Sequence, residues 1–343
     1  MAITAVVMLA GCGGRSRALG PIRLTVFETL GSDGGVGALA VAPTVSAPLH
    51  DGRRVVIASS AGIIAAPTLF GPSGAVVGSL ADADGGPPAA PRFARIGPGD
   101  SVWVFDAGIG ARVYDSGGHL RRRITLPSAP WDAVVLADSR IVLSRANAMQ
   151  PLPLILVAAN GDSSAVIGGD SAAALIAAPR WIARGRDGSF WTMPTQFRWQ
   201  LEHWDSVGHR IATFNDPPPW FAGYETPTSA SATVAPQPLV NGLWVDPAGR
   251  IWILGQVADP HWATGLGHDG AQHATIQDAD KTYDTVIEVI DPTTGHAVAS
   301  TRVDQWYAAV VEPGVLLRIV DTRSGWRQAI LTRVTWSAGA DRQ

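Results

Sequence analysis

The residues able to do chemistry are few and scattered. One cysteine, Cys12, leaves no intramolecular disulfide and no Cys-based zinc site. Three histidines, His261, His268 and His273, cluster around Trp262, but their spacing matches no helix or strand pattern for a metal. Residues 265–270 spell G-x-G-x-x-G, yet no strand precedes them and no helical pattern follows, so a dinucleotide site is not expected. The chain contains neither a G-x-S-x-G nucleophile elbow nor an H-E-x-x-H zinc helix. Asp106, Asp132, Asn147 and Asn241 are candidate oxygen ligands for a hard cation such as calcium, although turns account for most aspartates.

Five of the 13 tryptophans fall into two contrasting groups. Trp103, Trp191 and Trp252 follow a tight Gly-containing turn in three similar segments, which marks them as packing residues. Trp220 and Trp262 lie in long insertions, 215–240 and 256–284, with Phe221 and Tyr224 beside the first and the three histidines around the second. Loops of that length without secondary structure of their own are usually functional or disordered. Trp220, Phe221, Tyr224, His261, Trp262, His268 and His273 are therefore the candidate ligand or partner contacts, forming an aromatic cap beside a channel mouth. Two mobile surface loops are the alternative.

These residues must be held by strands. Asp, Gly and Pro make up about a quarter of the chain, and lysine occurs once, at Lys281, so a helical bundle is excluded. The net charge of -3 and the absence of a basic stripe argue against a nucleic-acid binder. Segments 93–103, 181–191 and 241–252 align as an apolar stretch, a turn, and a β-rich stretch with Trp near its start. A second turn recurs at 71–74, 115–118, 159–162, 205–208 and 291–295. Four strands every 40 to 50 residues or so are propeller blades.

The 100–122 stretch, with Asp100-Ser101-Val102-Trp103-Val104-Phe105-Asp106 followed by Arg112-Val113-Tyr114-Asp115-Ser116-Gly117-Gly118, resembles an NHL-type repeat. The likeness implies an all-β propeller of the NHL-repeat or TolB-like type and no particular activity. Five complete blades fall at 37–80, 92–125, 131–168, 179–214 and 242–303. The sixth has three strands within 306–336, and the alternating run Ile22 to Glu28 is expected to supply its fourth. A seventh, degenerate blade at 215–240 is the alternative.

The apolar run Ala2 to Ala10 leads into Leu9-Ala10-Gly11-Cys12, which resembles the lipobox of bacterial lipoproteins. That resemblance implies a signal segment at 1–12, lipid on Cys12, a linker at 13–21, the propeller at 22–336 and a tail at 337–343. The expected address is the bacterial cell envelope, periplasmic or surface-exposed, with the membrane met only through the lipid. The leading function is a binding module for a protein, peptide or glycan, without a cofactor. The alternative is a calcium-dependent lactonase- or esterase-like hydrolase, or a lyase, as in some six-bladed propellers.

Overall fold

The computed structural model describes residues 21–30, 43–60, 63–64, 66–80, 90–108, 110–145, 154–167, 178–268, 274–321 and 327–337. Cys12, Asn147 and His273 lie outside them, as does the whole 1–12 segment. Six antiparallel sheets follow one another as the blades of a propeller. The first blade comprises Pro43–Pro48, Arg54–Ser60, Thr68–Phe70 and Val76–Ser79, with the two-residue strand Ile63–Ile64 appended to its second strand. The second comprises Pro91–Ile96, Val102–Asp106, Gly110–Tyr114 and Leu120–Thr125, and the third Pro130–Val135, Ile141–Arg145, Leu154–Val157 and Ser164–Ile167. Arg180–Arg184, Phe190–Pro194, Leu201–Trp204 and Arg210–Phe214 form the fourth. The fifth is built from Leu239–Val245, Ile251–Ala258, Tyr283–Ile290 and Ala297–Val303.

The sixth blade joins the two ends of the chain. Ala309–Glu312, Val315–Asp321 and Arg327–Trp336 are completed by Ile22–Leu30, which pairs antiparallel with the last strand from Ile22 opposite Trp336 to Leu30 opposite Ala329. This is the closure expected from the alternating N-terminal run, and it covers the free edge of that strand. Residues 215–238 contain no strand, so the ring has six blades rather than seven.

Each interface between neighbouring blades holds one apolar cluster, because both faces of each sheet are buried and the second strands read as nearly unbroken apolar runs. Trp103, Trp191 and Trp252 sit in three of these clusters at 1%, 3% and 3% exposure, as packing residues should. The turns between third and outer strands lock the blades together. Gly118, Gly161, Gly208 and Gly295 all have positive φ, and each lies close to an apolar side chain of the preceding blade (Leu80, Ile124, Ile167 and Phe214). A side chain there would be strained by the backbone conformation, and at the last three it would also collide with its neighbour.

Candidate functional site at the channel mouth

The innermost strands of all six blades line a central cavity of about 340 Å³. Four of them carry a β-bulge near their start, at residues 44, 92, 131 and 241, whereas the bulge of the sixth blade, at residue 311, lies next to its strand's end. A bulge leaves one residue outside the ladder and re-aims its side chain. Both long insertions join strands at this same end of the ring: one precedes the inner strand of the fifth blade, the other links that blade's second and third strands.

The side chains at this end form a continuous arc across five blades. The Arg92 guanidinium lies 5.0 Å over the Trp131 ring, and Trp131 meets Trp181 at 6.0 Å between centroids. Trp181 Nε1 donates to the Val240 carbonyl (2.6 Å). The next residue, Asn241, donates through Nδ2 to Gln256 Oε1 (2.7 Å), and the same oxygen accepts from Trp306 Nε1 (2.7 Å). Arg92, Trp131, Trp181, Asn241 and Trp306 are all partly exposed. Flat rings alternating with amide and guanidinium groups suit a ligand that stacks and hydrogen-bonds without a full charge.

The candidate calcium ligands are otherwise engaged. Asp132, 1% exposed, pairs with Arg95 and accepts from the Ala133 and Ile182 N–H groups, both at 2.8 Å. Asp106 pairs with Arg112, and Asn241 is tied to Gln256. Calcium needs six or more oxygens converging on one point. The described residues among the four contribute side chains committed to other partners in three different blades, and this set does not fit the ion.

The insertions are pinned to the ring and to each other. Trp262 Nε1 donates to the Ser231 carbonyl (3.1 Å), so the two excursions touch. Asp278 caps the short helix Ala279–Thr282, whose Asp280 accepts from the Trp306 N–H (2.8 Å) and pairs with Arg318. That contact brings the second insertion to one end of the arc. Phe221 is buried with Trp199 in the interface between the fourth and fifth blades, and Trp220 wedges against the same pair. Tyr224 packs on Phe197 and donates to the Pro238 carbonyl (3.2 Å), and burial pushes its phenol pKa up. His261 is exposed and Trp262 partly so, while His268 ends the short strand Leu266–His268. Of the expected contacts, the structure thus keeps Trp262 and His261 at the surface, places Phe221 in the core, and joins Trp220 and Tyr224 to the flank of the fourth blade.

Sequence reasoning missed Arg92, Trp131, Trp181, Gln256 and Trp306 as a group. The signal was the start of each inner strand: Pro91-Arg92, Pro130-Trp131 and Arg180-Trp181 place large side chains at almost the same point of the repeat. The bulges, which shift that register by one residue, leave no mark in the sequence pattern.

No protein-family model matches the chain, and no curated protein matches it in sequence. Solved structures do share its fold. A protein of unknown function from Bacteroides thetaiotaomicron is similar with a TM-score of 0.50 and 10% identity, over 92% of this chain and 76% of that one. A gluconolactonase from Xanthomonas campestris gives 0.49 and 12%, over 91% and 99% of the two chains. Regucalcin from Agrobacterium tumefaciens, described as a calcium-binding protein, gives 0.48 and 12%, over 90% and 95%. Likeness at this level of identity extends to the fold and no further. The six-bladed β-propeller itself is read from this chain's own sheets.

Proposed function

We propose that the chain is a binding propeller, held at a bacterial envelope by lipid on Cys12, that takes a glycan, peptide or protein at its channel mouth. The observation that carries this reading is the arc Arg92–Trp131–Trp181–Asn241–Trp306, flanked by the Trp262 insertion. Its rings offer stacking area and its amides offer hydrogen bonds, while the channel carboxylates Asp132 and Glu312 are paired with Arg95 and Arg54, and Asp132 also accepts from backbone N–H groups. A hydrolytic site needs a nucleophile or metal-bound water beside a free base, and Asp132, held by Arg95, is not free to act as one.

The test is a binding screen of the purified chain against arrays of envelope glycans and peptides, comparing wild type with the Trp131→Ala, Trp181→Ala double variant. Each lost stacking contact is expected to weaken binding by about 1 kcal/mol or more, and the pair by at least tenfold. A double variant that keeps both its melting temperature and its ligand would overturn the reading, as would calcium-dependent lactone hydrolysis by the wild type. The anchor is tested separately: palmitate labelling in a bacterial host should mark the wild type and not Cys12→Ser.

A further inference from the structure

A second cavity, of about 570 Å³, opens on the flank of the ring between the fourth and fifth blades. Its walls are Trp199, Trp220 and the Pro217–Pro219 run, with Val286 and Ile290 of the fifth blade. Glu288 lies among these apolar groups at 3% exposure. Its Oε1 accepts from Ser300 Oγ (3.3 Å), and its Oε2 is buried with no partner among the described residues. The Trp220 indole N–H leans toward this carboxyl and favours its ionised form, but closes no hydrogen bond of full geometry with it.

The fourth blade shows how a glutamate at this position is held when its partners are present. Trp191 and Trp252 share a repeat position, and the ladders then align Glu202, opposite Thr192, with Glu288, opposite Ile253. Glu202 is gripped by Arg180 (2.6 Å) and Arg210 (3.2 Å), and it accepts from Gln200 (3.0 Å) and Thr192 (3.3 Å). By the same alignment the fifth blade carries Val240 for Arg180, Ala297 for Arg210, Val286 for Gln200 and Ile253 for Thr192. The carboxyl is kept while every polar partner is replaced by an apolar one, and a cavity lies beside it. The other charged groups lining that cavity are Asp216, His296 and Arg302. Arg302 is held by Asp284 and the Ala258 carbonyl, and His296 lies 3.7 Å from Asp216. Among the described residues, no cation is directed at Glu288.

We propose that this flank cavity binds an alkylguanidinium group, free or on an arginine side chain, with Glu288 as its counter-ion and Trp220 as its aromatic wall. The ligand takes the role that Arg180 and Arg210 play for Glu202, and a guanidinium meets both requirements because it pairs with carboxylates and stacks on indole faces. The site is separate from the channel mouth and stands or falls independently of the reading given above. Burial raises the Glu288 pKa from 4.5 to about 7, so a bound cation must first ionise it.

Calorimetric titration with n-butylguanidinium, a capped Ala-Arg-Ala peptide, n-butylammonium and n-butanol tests this on the full chain. Butylguanidinium is expected to bind about tenfold more tightly at pH 8 than at pH 6, following ionisation of a group near pH 7. Glu288→Gln should weaken it at least tenfold and flatten the pH dependence, while His296→Ala should leave that dependence intact. Butylammonium should bind more weakly and butanol not at all. Binding of the peptide as well as the small cation would identify an arginine side chain as the source, and exclusion of the peptide a free small molecule; both support the site. Equal affinity at the two pH values, equal binding of butanol, or an unchanged Glu288→Gln variant would overturn it.

Discussion

Glu202 and Glu288 are the same residue type at the same repeat position in neighbouring blades, each facing the blade before it and each almost free of solvent. Two further blades fill that position differently. In the second it is Arg112, paired with Asp106, and in the third it is Ile155, inside an apolar cluster. An arginine with its acid, an isoleucine among apolar neighbours and a glutamate between two arginines are each internally consistent. A glutamate held by one serine hydroxyl is not. Burying a carboxyl is unfavourable unless it is paired, so a repeat that keeps the carboxyl and discards its partners departs from its own rule. Such departures are where function is expected to sit.

The largest difference in stability is expected at Arg180. Replacing it with Met leaves Glu202 buried with only Arg210 at 3.2 Å for a counter-ion. Removing one partner of a buried pair costs about 3–5 kcal/mol, and urea unfolding should show a loss of that size for Arg180→Met. The corresponding change in the fifth blade, Glu288→Gln, should cost nothing at neutral pH, since no ion pair is lost. If both variants lose the same stability, the two carboxyls are equivalent and the contrast is false.

Glu288→Gln has a pH signature of its own. The folded pKa of Glu288, about 7, stands above its ordinary 4.5. A group raised in this way stabilises the fold fully below pH 4.5, and that contribution is lost as pH rises toward 7, where the folded state must ionise a buried carboxyl. A shift of this size corresponds to about 3 kcal/mol. The wild type should therefore lose up to about 3 kcal/mol relative to Glu288→Gln between pH 4.5 and pH 7.5. The variant should be the more stable of the two at pH 8, and the two nearly equal at pH 4.5. Matching pH profiles for the two proteins would show that Glu288 already has a partner.

Much of the ring was legible in the sequence because it rests on local rules. Turn glycines at fixed offsets, Trp103, Trp191 and Trp252 after them, and an unassigned alternating run at Ile22 to Glu28 sufficed for six blades and their closure. The site was less legible, for two physical reasons. The inner strands are buried at most positions on both faces and carry no alternation for an added residue to break, so the re-aimed Arg92, Trp131 and Asn241 do not stand out as one set. Glu288 looks ordinary in Val286-Ile287-Glu288-Val289, a strand pattern in which one polar residue reads as a solvent-facing position. Its isolation depends on Val240, Ala297 and a loop tryptophan, which are brought together only by the ring. The insertions were recognised as special, but aromatic content alone could not separate Trp262, partly exposed beside Ser231, from Phe221, which is buried against Trp199.

Gly255 also distinguishes the two blades, at a smaller energy. It occupies the position that Pro194 holds in the fourth blade, and a methyl placed there would overlap the Trp220 ring. Gly255→Ala should therefore push Trp220 out of its seat, at about 1–3 kcal/mol for an overpacked contact. The readout is a shift in tryptophan emission together with loss of butylguanidinium binding. Unchanged emission would mean that the ring does not rest on this glycine.

The smallest expected effect on stability comes from restoring a missing partner. Ala297 is exposed and aligns with Arg210, so an arginine there can enter from solvent without displacing core atoms. In the fourth blade Arg210 is only one of two cations on Glu202, at 3.2 Å, and it lies in the more exposed part of that site. Ala297→Arg should therefore change unfolding stability by no more than about 1 kcal/mol, as for other partly exposed ion pairs. Its effect on Glu288 should be much clearer, because an opposite charge within a few ångströms favours the ionised carboxyl. The Glu288 titration, followed by carboxyl NMR shifts, should fall from about 7 by a unit or more. Butylguanidinium should then find its place taken, with its affinity lost at every pH although Glu288 is intact. If the cation still binds to Ala297→Arg while Glu288 titrates lower, the introduced arginine and the ligand occupy different places, and the likeness between the two blades ends at the carboxyl.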